Sequence, residues 1–378
     1  MDAIEYISKS RRIVVKIGSA LLVDQESGTV RGDWLQGLAS DIGYLRQQNS
    51  DPLIVSSGSI ALGRSVLKLT PGQLSLEQSQ AAAAVGQIRL AGAYDDALAP
   101  LGLVSAQILL TLDDSRNRRR YLNSRATLLN LLAQGVIPVV NENDTVATDE
   151  IRFGDNDRLA AQVAAMTNAD CLVLLSDIDG LYDRDPKRHP EARHIPVIRQ
   201  VEPEIEAMAQ DAGSEFAKGG MRTKIQAART ASSAGCATLI ADGKRRRPIT
   251  ALLGGASNTV FLPQGDPQSA RKHWIGSMKP QGRIRVDHGA LKALGNGRSL
   301  LPAGVAAIEG DFGRGEPVEI AGPDAIVVAI GLVRYTGAEA RLICGKKSSE
   351  VAEILGYPAR TALVHRDDMA RLKFATES

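Results

Sequence analysis

Aromatic residues make up only 4% of this 378-residue chain, so a stacking platform for bases is not its main binding device. Cysteine is scarce. Cys171, Cys236 and Cys344 stand far apart with no CxxC pair, which disfavours a disulfide framework and a cysteine zinc site and points to a reducing compartment. The five histidines spell no HExxH. No apolar stretch approaches the ~18 residues of a membrane span. Near the N-terminus Arg11, Arg12 and Lys16 bracket an apolar run of only Ile13, Val14 and Val15, too short for a secretory leader. Neither sign of charge dominates. Lys+Arg number 45 against 43 Asp+Glu, a net charge of +2, too balanced for a chain that coats nucleic acid or an anionic membrane. These absences lead to the expectation of a soluble cytoplasmic protein without membrane association.

What is present is globular. Hydrophobic residues are 44% and charged ones 23%, and at roughly 150 residues per domain the length suggests two or three domains. Short apolar runs at Ile13–Val15, Leu53–Val55, Val136–Val140, Cys171–Leu175 and Ala237–Ile240 read as buried parallel strands. Between them, Leu35, Leu38, Ile42 and Leu45 repeat at helical spacing, as do Leu122, Ala126, Leu129 and Ala133. Met221 to Ala234 reads as a helix stopped by Gly235. Alternating strands and helices predict a mostly parallel α/β sheet covered on both faces, with ligands outside the carboxyl ends of its strands. After about Phe261 the pattern changes. Pro263, Gly265, Pro267, Pro280 and Gly282 read as a linker, and short segments at Ile284–Val286, Val318–Ile320 and Ile326–Ile330 predict a small β-rich domain.

The loops after the apolar runs are candidates for chemistry. The first run leads into Lys16-Ile17-Gly18-Ser19. A lysine leaving a strand beside a small-residue turn suits a phosphate, though an ordinary exposed lysine reads the same way. The second gives Ser56-Ser57-Gly58-Ser59 before a helical pattern, either an anion site at a helix start or a plain serine cap. The third ends in Asn141-Glu142-Asn143-Asp144, with Gly154-Asp155-Asn156-Asp157 close behind. Such acid and amide groups can hold an ammonium group and orient a lysine, or can form solvated turns. The fourth gives Ser176-Asp177. Finally, Lys218-Gly219-Gly220-Met221-Arg222-Thr223-Lys224 opens a helix, which fits a phosphate cradle or a hinge. The basic clusters Arg116–Arg120 and Lys244–Arg247 read as solvated surface. No Walker GxxxxGK[ST] is present, and Asp311-Phe312-Gly313 and His365-Arg366-Asp367 match protein-kinase motifs only by letter, in reversed order.

Taken together, VVKIGSALL, VSSGSIALG, VIPVVNENDTVAT, GDNDRLAA, LLSDIDGLY and KGGMRTKIQAA resemble, in order and approximate spacing, the glutamate-phosphorylating branch of the amino acid kinase family. VDHGALKAL, SLLPAGV, GDFGRGEPVEI and ILGYPARTALVHRDDM resemble its appended PUA domain. The resemblance implies a three-layer α/β/α kinase domain over residues 1–262, a linker at 263–281, a PUA domain at 282–365 and a tail at 366–378. It implies ATP and Mg²⁺ as cofactors and L-glutamate as acceptor of a phosphoryl group on its side-chain carboxylate, at the head of proline biosynthesis. It further implies proline as a feedback inhibitor and a homo-oligomer, a tetramer or dimer. Residue by residue, Lys16 and Lys224 would be the catalytic lysines and Asp157 the acid that orients them. Ser57, Asn141, Asp144 and Asn156 would bind glutamate, with Asp144 on its amino group. Gly18, Ser176, Asp177 and residues 218–224 would bind the nucleotide. Lys218 stands where the family usually has a threonine.

Two other readings remain open from the sequence. One is another acceptor within the same family: aspartate, N-acetylglutamate, carbamate or a nucleoside monophosphate. The other is RNA binding through the C-terminal domain, although residues 281–378 carry 13 Lys+Arg against 12 Asp+Glu, a faint electrostatic footprint.

Overall fold

The computed structural model describes residues 2–70, 72, 74–146, 156–208, 220–358 and 361–372. The chain divides into two compact units. One comprises residues 1–116 and 123–267, the other 117–122 and 268–378.

The N-terminal unit is built on an eight-stranded sheet. Its strands are β1 (Arg12–Ile17), β2 (Asp51–Ser56), β3 (Ser105–Leu110), β4 (Ile137–Glu142) and β5 (Cys171–Ser176). A small hairpin, β6 (Leu181–Tyr182) and β7 (His194–Ile195), precedes β8 (Val197–Ile198), β9 (Ala237–Asp242) and β10 (Asn258–Phe261). The order is β3-β4-β2-β1-β5-β9-β10-β8. All pairings from β3 to β9 are parallel, and β10 runs antiparallel to β9.

The central strands are buried on both faces. Ile13, Val14, Val15 and Ile17 of β1 are all inaccessible to solvent, which is why their sequence shows an unbroken apolar run rather than alternation. One face packs against helices Gly32–Gln47 and Leu76–Leu98, through Leu38, Ile42, Leu90 and Tyr94. The other meets helix Asn156–Thr167, which touches β1 and β5 and packs against helix Met221–Ser233.

All five apolar runs are strands. β3 was not legible because it is an edge strand, half-exposed along most of its length. Strand order reverses at β1, which has β2 on one side and β5 on the other. At such a switch point the connections leave in opposite directions and open a crevice beyond the strands' carboxyl ends.

Helix Leu76–Leu98 starts at a capping box, in which Ser75 Oγ accepts from the Gln78 amide and the Gln78 side chain accepts from the Ser75 amide. Its Ala-rich first half favours helix and also lets it come close to its neighbour, helix Ser59–Val66. A methyl at Gly63 would overlap the Ala82 carbonyl, and one at Gly86 would overlap the Ser59 carbonyl. Only glycine allows the two backbones this approach.

The C-terminal unit has a five-stranded sheet, β11 (Gly282–Val286), β12 (Val305–Glu309), β13 (Pro317–Ala321), β14 (Val327–Val333) and β15 (Val364–Arg371), in the order β12-β11-β13-β14-β15. Ile284, Val318, Ile320, Val333 and Val364 are in its core. Residues 366–371, expected in a tail, form most of β15. Their charges obscure an inward-facing set in which Asp368, Met369 and Ala370 are buried. Within the expected linker, Pro267–Gly276 is a helix. Proline suits its first position, and Arg271 Nη2 donates to Asp368 Oδ1 at 2.8 Å, fastening the helix to β15.

Candidate active site

The carboxyl ends of β1, β2 and β4 and the starts of two helices bring most of the candidate residues together. Lys16 is the penultimate residue of β1, facing helix Asn156–Thr167. Lys224 lies in the first turn of helix Met221–Ser233. Both ammonium groups reach Asp157, in the first turn of Asn156–Thr167. Lys16 Nζ pairs with Oδ1, and Lys224 Nζ lies 3.1 Å from Oδ2. Thr223 Oγ1 also donates to Oδ2, at 3.2 Å.

The three charged groups are buried, with exposures of 4% for Lys16, 5% for Lys224 and 0% for Asp157. Burial by itself would raise the Asp157 pKa. The charges and hydrogen bonds of Lys16 and Lys224 outweigh it and hold the carboxyl at about 2. Asp157 is therefore a fixed anion, unsuited to accepting a proton near neutrality.

A second network, of amides and hydroxyls ending on Asp144, continues from Asn156. Its Nδ2 donates to the Ser56 carbonyl and, at 2.8 Å, to Asn141 Oδ1. Asn141 Nδ2 donates in turn to Ser59 Oγ at 3.3 Å and to Gln87 Oε1 at 2.7 Å. Ser59 Oγ gives its single proton to Asp144 Oδ2, 3.1 Å away. Asn141, Asp144 and Asn156 are all buried. Behind them Tyr94 OH donates to Ser56 Oγ at 2.8 Å.

Two helix starts face this region without side-chain caps. Gly58 precedes helix Ser59–Val66, and Gly220 precedes Met221–Ser233. Gly58 has φ of 119°, a conformation that costs other residues steric strain. Uncapped first-turn amides attract negative charge. At Gly18 the backbone is open, since an added methyl would meet nothing within 4 Å.

The remaining candidates are distributed as follows. Ser57 is half-buried beside Ser56, with its amide donating to the Ile17 carbonyl. Met221 is half-buried and Arg222 exposed at the helix start. Lys218 and Gly219, like Gly154 and Asp155, lie outside the described residues. Ser176 ends β5, Asp177 follows it, and the two form a separate group. Burial raises the Asp177 pKa, but Lys187, 3.2 Å away, and Lys244 bring it below the usual carboxylate range. Lys244 Nζ also donates to the Asp177 carbonyl. A cavity of about 220 Å³ opens here, lined by Asp177, Asp179, Asp242, Arg245 and Leu252.

Sequence reading missed Gln87 and Tyr94, and it named Ser56 and Ser59 only as part of a helix-start loop. Gln87 had a detectable signal. It shares helical spacing with Leu90 and Tyr94, both buried, so an amide there interrupts an otherwise inward-facing row.

The C-terminal unit holds a cleft of about 1060 Å³ lined by Lys272, His273, Arg298, Arg366 and Arg371, with Asp367 as its acid.

Several known proteins resemble this chain. The model of the amino acid kinase family matches residues 11–242, and that of the PUA domain matches residues 282–355. A glutamate 5-kinase of Dinoroseobacter shibae is 60% identical over 363 residues, covering 96% of this chain and 99% of the relative. One from a Jannaschia species is 61% identical over 363 residues, with the same coverage. One from Rhizobium rhizogenes is 55% identical over 370 residues, covering 98% and 95%. Among solved structures, the carbamate kinase of Giardia lamblia bound to AMP-PNP aligns with 18% identity and a TM-score of 0.48, over 68% of this chain and 100% of that one. A mostly parallel sheet with paired lysines at its switch point thus coincides with a family match across most of the N-terminal unit: the chain belongs to the amino acid kinase family and carries a C-terminal PUA domain.

Proposed function

We propose that this kinase transfers the γ-phosphoryl group of ATP to the side-chain carboxylate of L-glutamate, giving L-glutamyl 5-phosphate and ADP, the first step of proline biosynthesis. Full-length relatives at about 60% identity carry the name glutamate 5-kinase. The observation that carries the chemistry is the convergence of Lys16 and Lys224 on Asp157.

The acceptor is a carboxylate, with an ordinary pKa of about 4.3, and is ionised at neutral pH. It needs no general base. One of its oxygens forms the new bond to phosphorus, while the bond to the β–γ bridging oxygen breaks and its electron pair leaves on ADP. The obstacle is the approach of two anions. Unit charges ~4 Å apart at an effective dielectric near ~20 repel by about 4 kcal/mol. The two lysines offset that repulsion and stabilise charge on the equatorial oxygens during transfer. Asp157 holds both ammonium groups in place before substrate arrives. The starts of helices Ser59–Val66 and Met221–Ser233 add partial positive charge.

At the other end of the acceptor, Asp144 pairs with the amino group, and Asn141, Asn156 and Ser57 fix its orientation. Gly18, the β5 end at Ser176 and Asp177, and residues 218–224 hold the nucleotide. Mg²⁺ would supply further positive charge on the phosphates. Among the described residues no three His, Cys, Asp or Glu side chains gather as ligands.

The test is ADP release with L-glutamate, aspartate, N-acetylglutamate, carbamate and nucleoside monophosphates as competing acceptors. L-glutamate should exceed every other acceptor by at least about 100-fold in kcat/KM. Comparable rates with another acceptor would reassign the substrate. Feedback inhibition by proline and assembly into a tetramer or dimer belong to the same reading, tested by adding proline to that assay and by light scattering.

The cationic cleft of the C-terminal unit favours a second reading, binding of RNA. Filter binding with tRNA at physiological salt tests it. Micromolar, sequence-selective retention would support it, and retention that vanishes at that salt would remove it.

A further inference from the structure

We infer that Gln87 is a specificity-determining residue, whose side-chain Nε2 binds the α-carboxylate of the amino-acid acceptor. This rests on the acceptor assigned above and deepens it.

The acceptor carries three charged groups. The roles assigned so far place lysines at the reacting carboxylate and Asp144 at the amino group. The α-carboxylate must then lie next to Asp144, and it needs a donor. Gln87 stands in that place. Its Oε1 accepts from Asn141 Nδ2, the atom that also donates to Ser59 Oγ, and Ser59 Oγ donates to Asp144. A short run of hydrogen bonds therefore links the Gln87 amide to the carboxylate that reads the amino group.

The orientation of Gln87 follows from the same bonds. Asn141 Oδ1 is committed to Asn156 Nδ2, so Asn141 turns its own NH₂ towards Gln87. Gln87 must answer with its oxygen, which leaves Nε2 as the other limb of the carboxamide. Among the described residues Nε2 has no hydrogen-bond partner. Gln87 is only half-buried, so the amide borders open space.

Its backbone is held there by the glycine contact between helices Ser59–Val66 and Leu76–Leu98, because Gly86, the preceding residue, packs on the Ser59 carbonyl. A neutral donor also suits the position. An amide offers two N–H groups to a carboxylate without adding a charge to the site.

The experiment compares wild type with Gln87→Leu and Gln87→Glu. The substrates are L-glutamate, 4-aminobutanoate, which lacks the α-carboxylate, and glutarate, which lacks the amino group. Each analogue is read as a substrate or, where slow, as a competitive inhibitor. Gln87→Leu should lower kcat/KM for L-glutamate by about 10-fold or more, chiefly through KM. The ATP KM should stay within about twofold, and 4-aminobutanoate should lose several-fold less than L-glutamate, since both share the loss of the Asn141 contact.

Gln87→Glu keeps the oxygen that Asn141 needs but removes Nε2, so L-glutamate should lose at least as much as with leucine. Equal losses for L-glutamate and 4-aminobutanoate would overturn the inference and leave Gln87 as a support for Asn141. Wild-type L-glutamate kinetics in Gln87→Glu would overturn it too. Wild-type enzyme that releases no ADP with L-glutamate would instead sink the acceptor assignment beneath it. Thermal melts of both variants show whether the fold survives, and Gln87→Glu, nearly the same shape as glutamine, decides the matter if the leucine variant does not fold.

Discussion

Lys16 and Lys224, from opposite ends of the N-terminal unit's sequence, hold the two oxygens of one buried carboxylate, that of Asp157. Neither lysine has its place from local sequence. β1 delivers one and helix Met221–Ser233 the other. Replacing either with alanine should lower kcat by about 10²–10³-fold or more, the scale seen when one preorganised donor is lost from a transition state. Circular dichroism should show the fold retained. Near-normal turnover in either variant would contradict the roles given to them.

Asp144 separates binding from chemistry. Asp144→Ala removes the partner of the substrate's amino group but leaves Lys16, Lys224 and Asp157 in place. The glutamate KM should rise by about 10- to 100-fold, with the ATP KM unchanged. An unchanged glutamate KM would place the amino group elsewhere.

The pH dependence follows from Asp157. Its folded pKa of about 2 lies below the unfolded value of ~3.9. Its contribution to stability is therefore fully present above about pH 4 and is lost as pH falls from there through about 2. Loss of kcat/KM on acidification should come earlier, near ~4.3, from protonation of free L-glutamate. That inflection should move down with 4-fluoroglutamate, whose side-chain carboxyl is more acidic. An inflection that stays fixed when the acceptor changes would belong to the protein.

Two structural residues have separable effects. Gly86→Ala forces a methyl against the Ser59 carbonyl. It should cost about 1–3 kcal/mol, outweighing the ~1 kcal/mol that alanine gains over glycine in a helix. The glutamate KM should rise as well, because Ser59 and Gln87 shift. Asp41, fully buried in helix Gly32–Gln47, accepts from Arg247 Nε at 3.0 Å, the Ile249 amide at 2.8 Å and Thr250 Oγ1. It thus caps helix Pro248–Leu253 from a distant part of the chain. Asp41→Ala should cost about 2 kcal/mol with turnover per folded molecule unchanged. Urea titrations of both variants, paired with glutamate kinetics, check the two expectations.

Legibility in the sequence tracked burial. The central strands showed as unbroken apolar runs because both faces are covered, whereas the edge strand β3 is half-exposed and carries Gln107, and β10, though mostly buried, is only four residues long and opens with Asn258 and Thr259. Lys16, Asp157 and Lys224 stood out through their motifs, yet spacing alone could not join them, since the contact depends on strand order. Gln87 and Tyr94 were harder to place for another reason. The break that Gln87 makes in the buried row of its Ala-rich helix does not say which strand ends that row meets, and only the fold brings Tyr94 to Ser56 of β2 and Gln87 to Asn141 of β4. The cap on helix Pro248–Leu253 was equally invisible, because Asp41 lies far from it in the chain.

The most direct measurement is ADP release by the purified protein with MgATP, with and without L-glutamate, for wild type and Lys16→Ala side by side. Release that depends on L-glutamate and falls by at least about 100-fold in the variant is the expected result. Release indifferent to L-glutamate, or equal in both proteins, would contradict phosphoryl transfer by the paired lysines.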